Sequence, residues 1–306
     1  MLQPDPAFMP KIDLSVWKEL APPPLPRAGC AVGVIDDELV VAGGTFWHEG
    51  RKFWSERVDA FDPVVNQWSA RSPMPRTRGD AAALAHAGAL YVFGGGAEGA
   101  AATDVWILRD NLWTAPAHLA LPAPRRSSSV VVIDGTFYLL GGLSGTGSEF
   151  SLATSTVWAA KPDGRWEPRS PMPGPSRFNL SVGVVGGRII VAGGCAPEHG
   201  SVRNLDEVIA YDPSTDNWTV LGRLPFANRA GSGLADESGL LIFGGYTDKF
   251  ESGILRYDVP GGTADTVGQL PTGLAGGHFV RIGSQLLGVT GENGIKMRFP
   301  GLLGTA

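Results

Sequence analysis

Short apolar runs that end on a pair of glycines punctuate this chain. VVAGG at 40–44 returns as YVFGG at 91–95, YLLGG at 138–142, IVAGG at 190–194 and LIFGG at 241–245, then in degraded form as LGVTG at 287–291. The first glycines stand at 43, 94, 141, 193 and 244, with Thr290 in the sixth slot, so the steps run from 46 to 52 residues. Runs this short, rich in β-branched and aromatic residues and bounded by turn signals, read as buried strands rather than helices. A repeat of about fifty residues cannot bury both faces of its own small sheet, so such units stack radially until a ring closes. The pattern predicts an all-β fold, a six-bladed β-propeller.

Each blade is expected to hold four antiparallel strands. The blades are assigned to 27–70, 78–115, 125–168, 177–220, 229–268 and 275–306, the last completed by a strand at 15–20. In blade 1 the strands fall near 29–35, 38–42, 57–61 and 67–70, with Asp36-Asp37 as a two-residue turn. Trp68, Trp113, Trp166 and Trp218 close their repeats; blade 5 lacks this tryptophan. Trp17 matches them, so the strand at 15–20 ends a repeat that it does not begin, and 277–281, 285–290 and 299–304 supply the rest of that blade. The ring is therefore closed by pairing the two ends of the chain, which hides sheet edges. Residues 1–13 are proline-rich and read as a tail, and removing 1–20 is expected to destabilise the whole protein.

Composition narrows the function. Glycine accounts for 43 of 306 residues, which fits many tight turns. A net charge of −5 argues against nucleic acid or an anionic membrane as partner. No apolar run is long enough to span a bilayer and the N-terminus has no signal-like core, so cytoplasmic is the expectation, although a removed signal would leave the same sequence. Cys30 and Cys195 fall in blades 1 and 4, so neither a disulfide nor a cysteine metal site is expected.

Arg27, Arg78, Arg125 and Arg177 each lie 16 residues before the first glycine of their repeat, and Arg229 lies 15 before, read as a hairpin one residue shorter. The start of one strand and the end of its antiparallel neighbour share an edge. Five guanidiniums are thus expected around one mouth, where they either grip a small anion or tie down loops. Blade 6 departs from its siblings there. Glu292 directly follows Gly291, Arg298 comes six residues later, and His278 occupies an inner position that is Ala31, Ala82, Ser129, Ser181 and Gly233 elsewhere, so these three are the candidates for catalysis at the mouth. The longest distinctive loop, 45–57 in blade 1, adds Trp47, Glu56 and Arg57 as candidates for the wall. Glu198 and His199 in the matching loop of blade 4 are further ones.

The glycine pairs, the closing tryptophans and the aromatic–Asp steps at Phe61-Asp62, Tyr211-Asp212 and Tyr257-Asp258 together resemble the kelch repeat over essentially the full chain. Kelch propellers serve as enzymes and as protein-binding platforms. The Gly291-Glu292 step with Arg298 six residues on resembles the active-site loop of N-acetylneuraminate mutarotases, which are six-bladed kelch propellers. That resemblance implies an acid catalyst at Glu292, a substrate-binding arginine at Arg298 and mouth arginines holding the carboxylate of a sialic acid. It implies no metal and no other cofactor. The alternative is a non-enzymatic kelch module that grips an acidic peptide or protein at the same mouth.

Overall fold

In the computed structural model, which describes residues 12–98, 100–145 and 150–305, the chain builds six four-stranded antiparallel sheets around one axis. Blade 1 consists of Ala31–Ile35, Glu38–Ala42, Val58–Asp62 and Gln67–Ala70, from the axis outward. The inner strands of blades 2 to 6 are Ala82–His86, Ser129–Ile133, Ser181–Val185, Ser232–Ala235 and His278–Ile282. Asp36 and Asp37 both adopt the left-handed conformation, with φ of 50° and 61°, which matches the twist a two-residue hairpin needs. Most of the proline-rich tail lies outside the described residues.

Closure follows the expected route. Leu302–Thr305 pairs antiparallel with Trp17–Glu19, with Trp17 opposite Thr305 and Glu19 opposite Leu303. Trp17 meets Phe243 and Phe279 edge-on at 6.3 and 5.7 Å, and those two rings stack at 4.3 Å. The N-terminal strand thus seals blade 6 and also packs on blade 5. The other closing tryptophans tie each blade to the connection that leads into it: Trp68 Nε1 donates to the Ala21 carbonyl, Trp113 to Ser72, Trp166 to Leu119 and Trp218 to Ser170, at 2.7 to 2.9 Å. In blade 5, Ala264 of the outer strand packs with Leu221 against the apolar layer shared with blade 4.

The core is six apolar layers, one between each pair of neighbouring blades. Across the seam, Leu287, Val289 and Leu302 of blade 6 meet Val32, Leu39 and Phe61 of blade 1. Each such fully buried side chain contributes about 1.5–3 kcal/mol. The glycine pairs are what let the layers approach. The second glycine of every repeat donates its N–H to the carbonyl of a residue in the next blade: Gly44 to Arg78, Gly95 to Arg125, Gly142 to Arg177, Gly194 to Asn228, Gly245 to Leu274 and Gly291 back to Arg27. A Cβ on the first glycine would stand 2.2 to 2.5 Å from that same carbonyl oxygen in the five intact pairs, so no side chain fits. In blade 6 the first position is Thr290, a β-branched residue held at φ 62°, which is strained backbone beside the axial cavity.

Candidate functional site

The mouth opens into a cavity of about 830 Å³ on the axis, walled by the starts of the inner strands and the loops that follow the glycine pairs. Among the described residues, Lys52, Arg126, Arg229, Lys296 and Arg298 line it against Asp80 and Glu292, a balance opposite in sign to the net charge of the chain. Trp47, Phe150, Phe178, Tyr246 and Phe250 supply aromatic faces.

Glu292, Arg298 and His278 all reach this cavity. Reciprocal backbone bonds with Ala275, at 2.8 and 2.9 Å, fix the Glu292 backbone. Its carboxylate accepts a hydrogen bond from Arg298 Nη1 and stays 44% exposed, whereas Arg298 is 5% exposed. Arg298 is held from across the ring seam: Nε donates to the Thr45 carbonyl and Nη2 to Thr45 Oγ1, both at 3.0 Å. Trp47 stands beside the pair, with Arg298 6.0 Å and Lys296 5.1 Å from its ring centre. A carboxylate open to the cavity next to a guanidinium that cannot leave can exchange a proton with a bound hydroxyl while charge on oxygen is stabilised.

The His278 ring nitrogen Nδ1 lies 3.0 Å from Thr290 Oγ1, so the strained threonine orients the imidazole. Burial pushes the His278 pKa down to about 4, so the ring is neutral at pH 7. The unfolded chain takes up this proton near pH 6.5 and the folded protein only near 4. Stability is therefore expected to fall as pH drops from 6.5 towards 4. Denaturation midpoints at pH 7 and 4.5 should differ less in His278→Gln than in wild type; equal differences would contradict this assignment.

The expected ring of five arginines is corrected. Arg27, Arg78, Arg125 and Arg177 are buried within the blades. Arg27 bonds the Gly43 and Arg57 carbonyls and Asp59. Arg78 pairs with Asp104 at 2.7 Å, and Arg177 with Glu207 at 2.8 Å and the Pro173 and Pro175 carbonyls. Arg125 donates to Thr156 Oγ1 and stacks 4.2 Å from the centre of the Trp158 ring; burial lowers its pKa to about 10. These four hold loops together; they are not in the cavity wall. Nor are Glu56 and Arg57: both are exposed, and Arg57 binds the buried carboxylate of Asp59. Glu198 pairs with Arg203 on an exposed hairpin, and neither it nor His199 lines the cavity.

Arg229 differs because its hairpin is not shorter. Ser232 pairs with Phe243 as Ala31 pairs with Ala42, so the position 16 before the glycine is Asn228, and Ser232, not Gly233, is the counterpart of His278. Arg229 occupies the next slot, with Ala28, Gly79, Arg126, Phe178 and Ala275, and successive extended residues point to opposite sides. That one-residue offset turns it into the cavity. Arg126, also missed, was legible by the same count from Gly141.

Among the described residues no three His, Cys, Asp or Glu side chains cluster closely enough to hold a metal ion. Cys30 and Cys195 are separate buried thiols, their pKa values pushed by burial to about 11 and about 12.

The Kelch motif matches residues 26–75 and 176–225, which contain blades 1 and 4. Among curated proteins, the chain is 28% identical over 243 residues to Kelch-like protein 34 of Homo sapiens, covering 74% of this chain and 36% of that protein. It is 30% identical over 204 residues to Beta-scruin of Limulus polyphemus, covering 63% and 22%, and 26% identical over 253 residues to Kelch-like protein terF of Aspergillus terreus, covering 75% and 52%. The chain thus spans between about a fifth and a half of the length of these relatives. Among solved structures, that of YjhT superposes with a TM-score of 0.76 at 17% identity, covering 92% of this chain and 95% of that one, a likeness of fold.

Proposed function

We propose that this six-bladed propeller with Kelch motifs is a cofactor-independent isomerase that exchanges the anomers of a small anionic sugar in its axial cavity. The observation that carries the reading is the Glu292–Arg298 pair: an accessible carboxylate beside an immobilised guanidinium, in a cavity whose size suits a small ligand. The resemblance of the 291–298 loop to the mutarotase active-site loop supports it.

The reaction asks little of the protein. Glu292 takes the proton of the anomeric hydroxyl as that oxygen becomes a carbonyl oxygen and the bond from the anomeric carbon to the ring oxygen breaks. The ring oxygen takes a proton from water and becomes a hydroxyl. After rotation about the adjoining bond the hydroxyl adds back to the other face of the carbonyl, and both protons return. Arg298 stabilises negative charge on oxygen in either direction. Neutral His278 acts as a hydrogen-bonding wall residue.

Anomer exchange of freshly dissolved N-acetylneuraminate, followed by NMR, tests the reading: wild type should accelerate it well beyond buffer. No acceleration for this or other acidic sugars would refute it. Ile295 and Met297, 86% and 57% exposed at the same mouth, favour a second reading, a protein-binding rim. On that reading an acidic peptide would bind and no sugar would turn over.

A further inference from the structure

Two residues past the buried arginine slot, the chain turns left-handed in every blade: Gly29, Asp80, Ser127, Asn179, Ala230 and Gly276 have φ between 53° and 64°. Their backbones are linked from blade to blade. Asp80 N–H donates to the Gly29 carbonyl at 2.8 Å, Ser127 to Asp80 at 2.7 Å, Asn179 to Ser127 at 3.2 Å, Ala230 to Asn179 at 2.9 Å and Gly276 to Ala230 at 2.7 Å. All six residues line the axial cavity, so they form a belt around it.

A belt that needed only this shape would be glycine throughout, because left-handed backbone strains any residue with a Cβ. Blades 1 and 6 do carry glycine there and blade 5 carries alanine, but blades 2, 3 and 4 carry Asp80, Ser127 and Asn179. The backbone N–H and carbonyl of these three are taken up by the belt. Their side chains, half-buried in the cavity wall, have no hydrogen-bond partner among the described residues. A Cβ on Gly29 would collide with Asp80 Oδ1, so the glycine of blade 1 also makes room for that carboxylate. Strain retained at three successive positions whose polar groups are unanswered within the protein points to a ligand from outside.

The three groups select the chemistry. A carboxylate accepts from two neighbouring hydroxyls at once, and a serine hydroxyl and a carboxamide both donate and accept. Together they complement a run of adjacent hydroxyls; a second anion would be repelled by Asp80. In a ring of six, blade 3 stands opposite blade 6, so the arc faces Glu292 and Arg298 across the cavity. Phe178, the neighbour of Asn179, stacks on Phe150 and adds an apolar face for sugar C–H groups.

We propose that Asp80, Ser127 and Asn179 form a hydroxyl-binding site that takes the polyhydroxylated tail of the ligand and so determines which anionic sugar is accepted. The proposal rests on the sugar reading of the cavity but not on catalysis. Bonds from hydroxyls to a fixed carboxylate are expected to change affinity about 10- to 100-fold.

Calorimetric titration with N-acetylneuraminate and with an analogue lacking the last two carbons of its glycerol tail tests it; the two share carboxylate, ring and anomeric centre. Wild type should bind the full sugar about 10- to 100-fold more tightly than the shortened one. Asp80→Asn, which keeps the shape and tolerates the left-handed backbone, should remove most of that preference by weakening the full sugar alone. Ser127→Gly and Asn179→Gly, which relax the backbone, should each reduce the preference while the melting temperature holds or rises; these serve if Asp80→Asn does not melt cooperatively. Equal affinity of wild type for the two sugars, binding of neither, or glycine variants that melt lower with the preference intact would overturn the site. Tail-dependent binding without anomer exchange would leave the site standing and refute the isomerase; exchange of both sugars at equal kcat/KM would do the reverse.

Discussion

Asp59→Ala is expected to destabilise the fold by about 3–5 kcal/mol. Asp59 is fully buried and Arg27 is 1% exposed, with Nη2 and Oδ2 2.6 Å apart. Removing the carboxylate strands a guanidinium in the layer between blades, where water cannot reach it. Arg57, whose side chain is 44% exposed, can turn to solvent instead. The carbonyls of Gly43 and Arg57 still accept from Arg27, but they answer its hydrogen bonds and not its charge. Urea denaturation of wild type and variant measures the loss. Glu198→Ala, which breaks the exposed pair with Arg203, is the control and should stay within about 1 kcal/mol. A loss from Asp59→Ala no larger than the control's would mean that the buried pair does not hold the blade.

Glu292→Gln is expected to slow anomer exchange about 10²- to 10⁴-fold while the protein still binds acidic sugars. Glutamine keeps the shape and can still sit beside Arg298, but it cannot take the anomeric proton. Because Arg298 is anchored to Thr45 as well as to Glu292, its position should survive the change and ligand affinity should move little. The effect should therefore appear in kcat with KM nearly constant. Unchanged exchange in this variant would move the chemistry elsewhere, with Asp80 the other carboxylate of the wall among the described residues. Loss of binding and rate together would mark Glu292 as a structural partner of Arg298.

The cavity reads differently from the linear chain for one geometric reason. The regular arginines at 27, 78, 125 and 177 are easily seen because they repeat, and they repeat because every blade needs the same brace. Arg126 and Arg229 break the rhythm by one residue, and that step carries them from the blade interior to the cavity. Glu292 and His278 were legible as departures from a six-fold pattern. Thr45 and Asn204 were not, since each acts through a neighbour brought to it only by the ring: Thr45 on Arg298 across the seam, Asn204 on Arg229 from the next blade.

Blade number, the four-stranded repeat and closure by the two ends are determined by sequence alone, because periodicity, turn chemistry and the glycine pairs are local properties that every repeat must satisfy. Which cations face the axis, and which acids answer them, was decided only by the tertiary structure. Those outcomes depend on side-chain direction within a single residue of register and on contacts between segments up to 253 residues apart, such as Arg298 with Thr45.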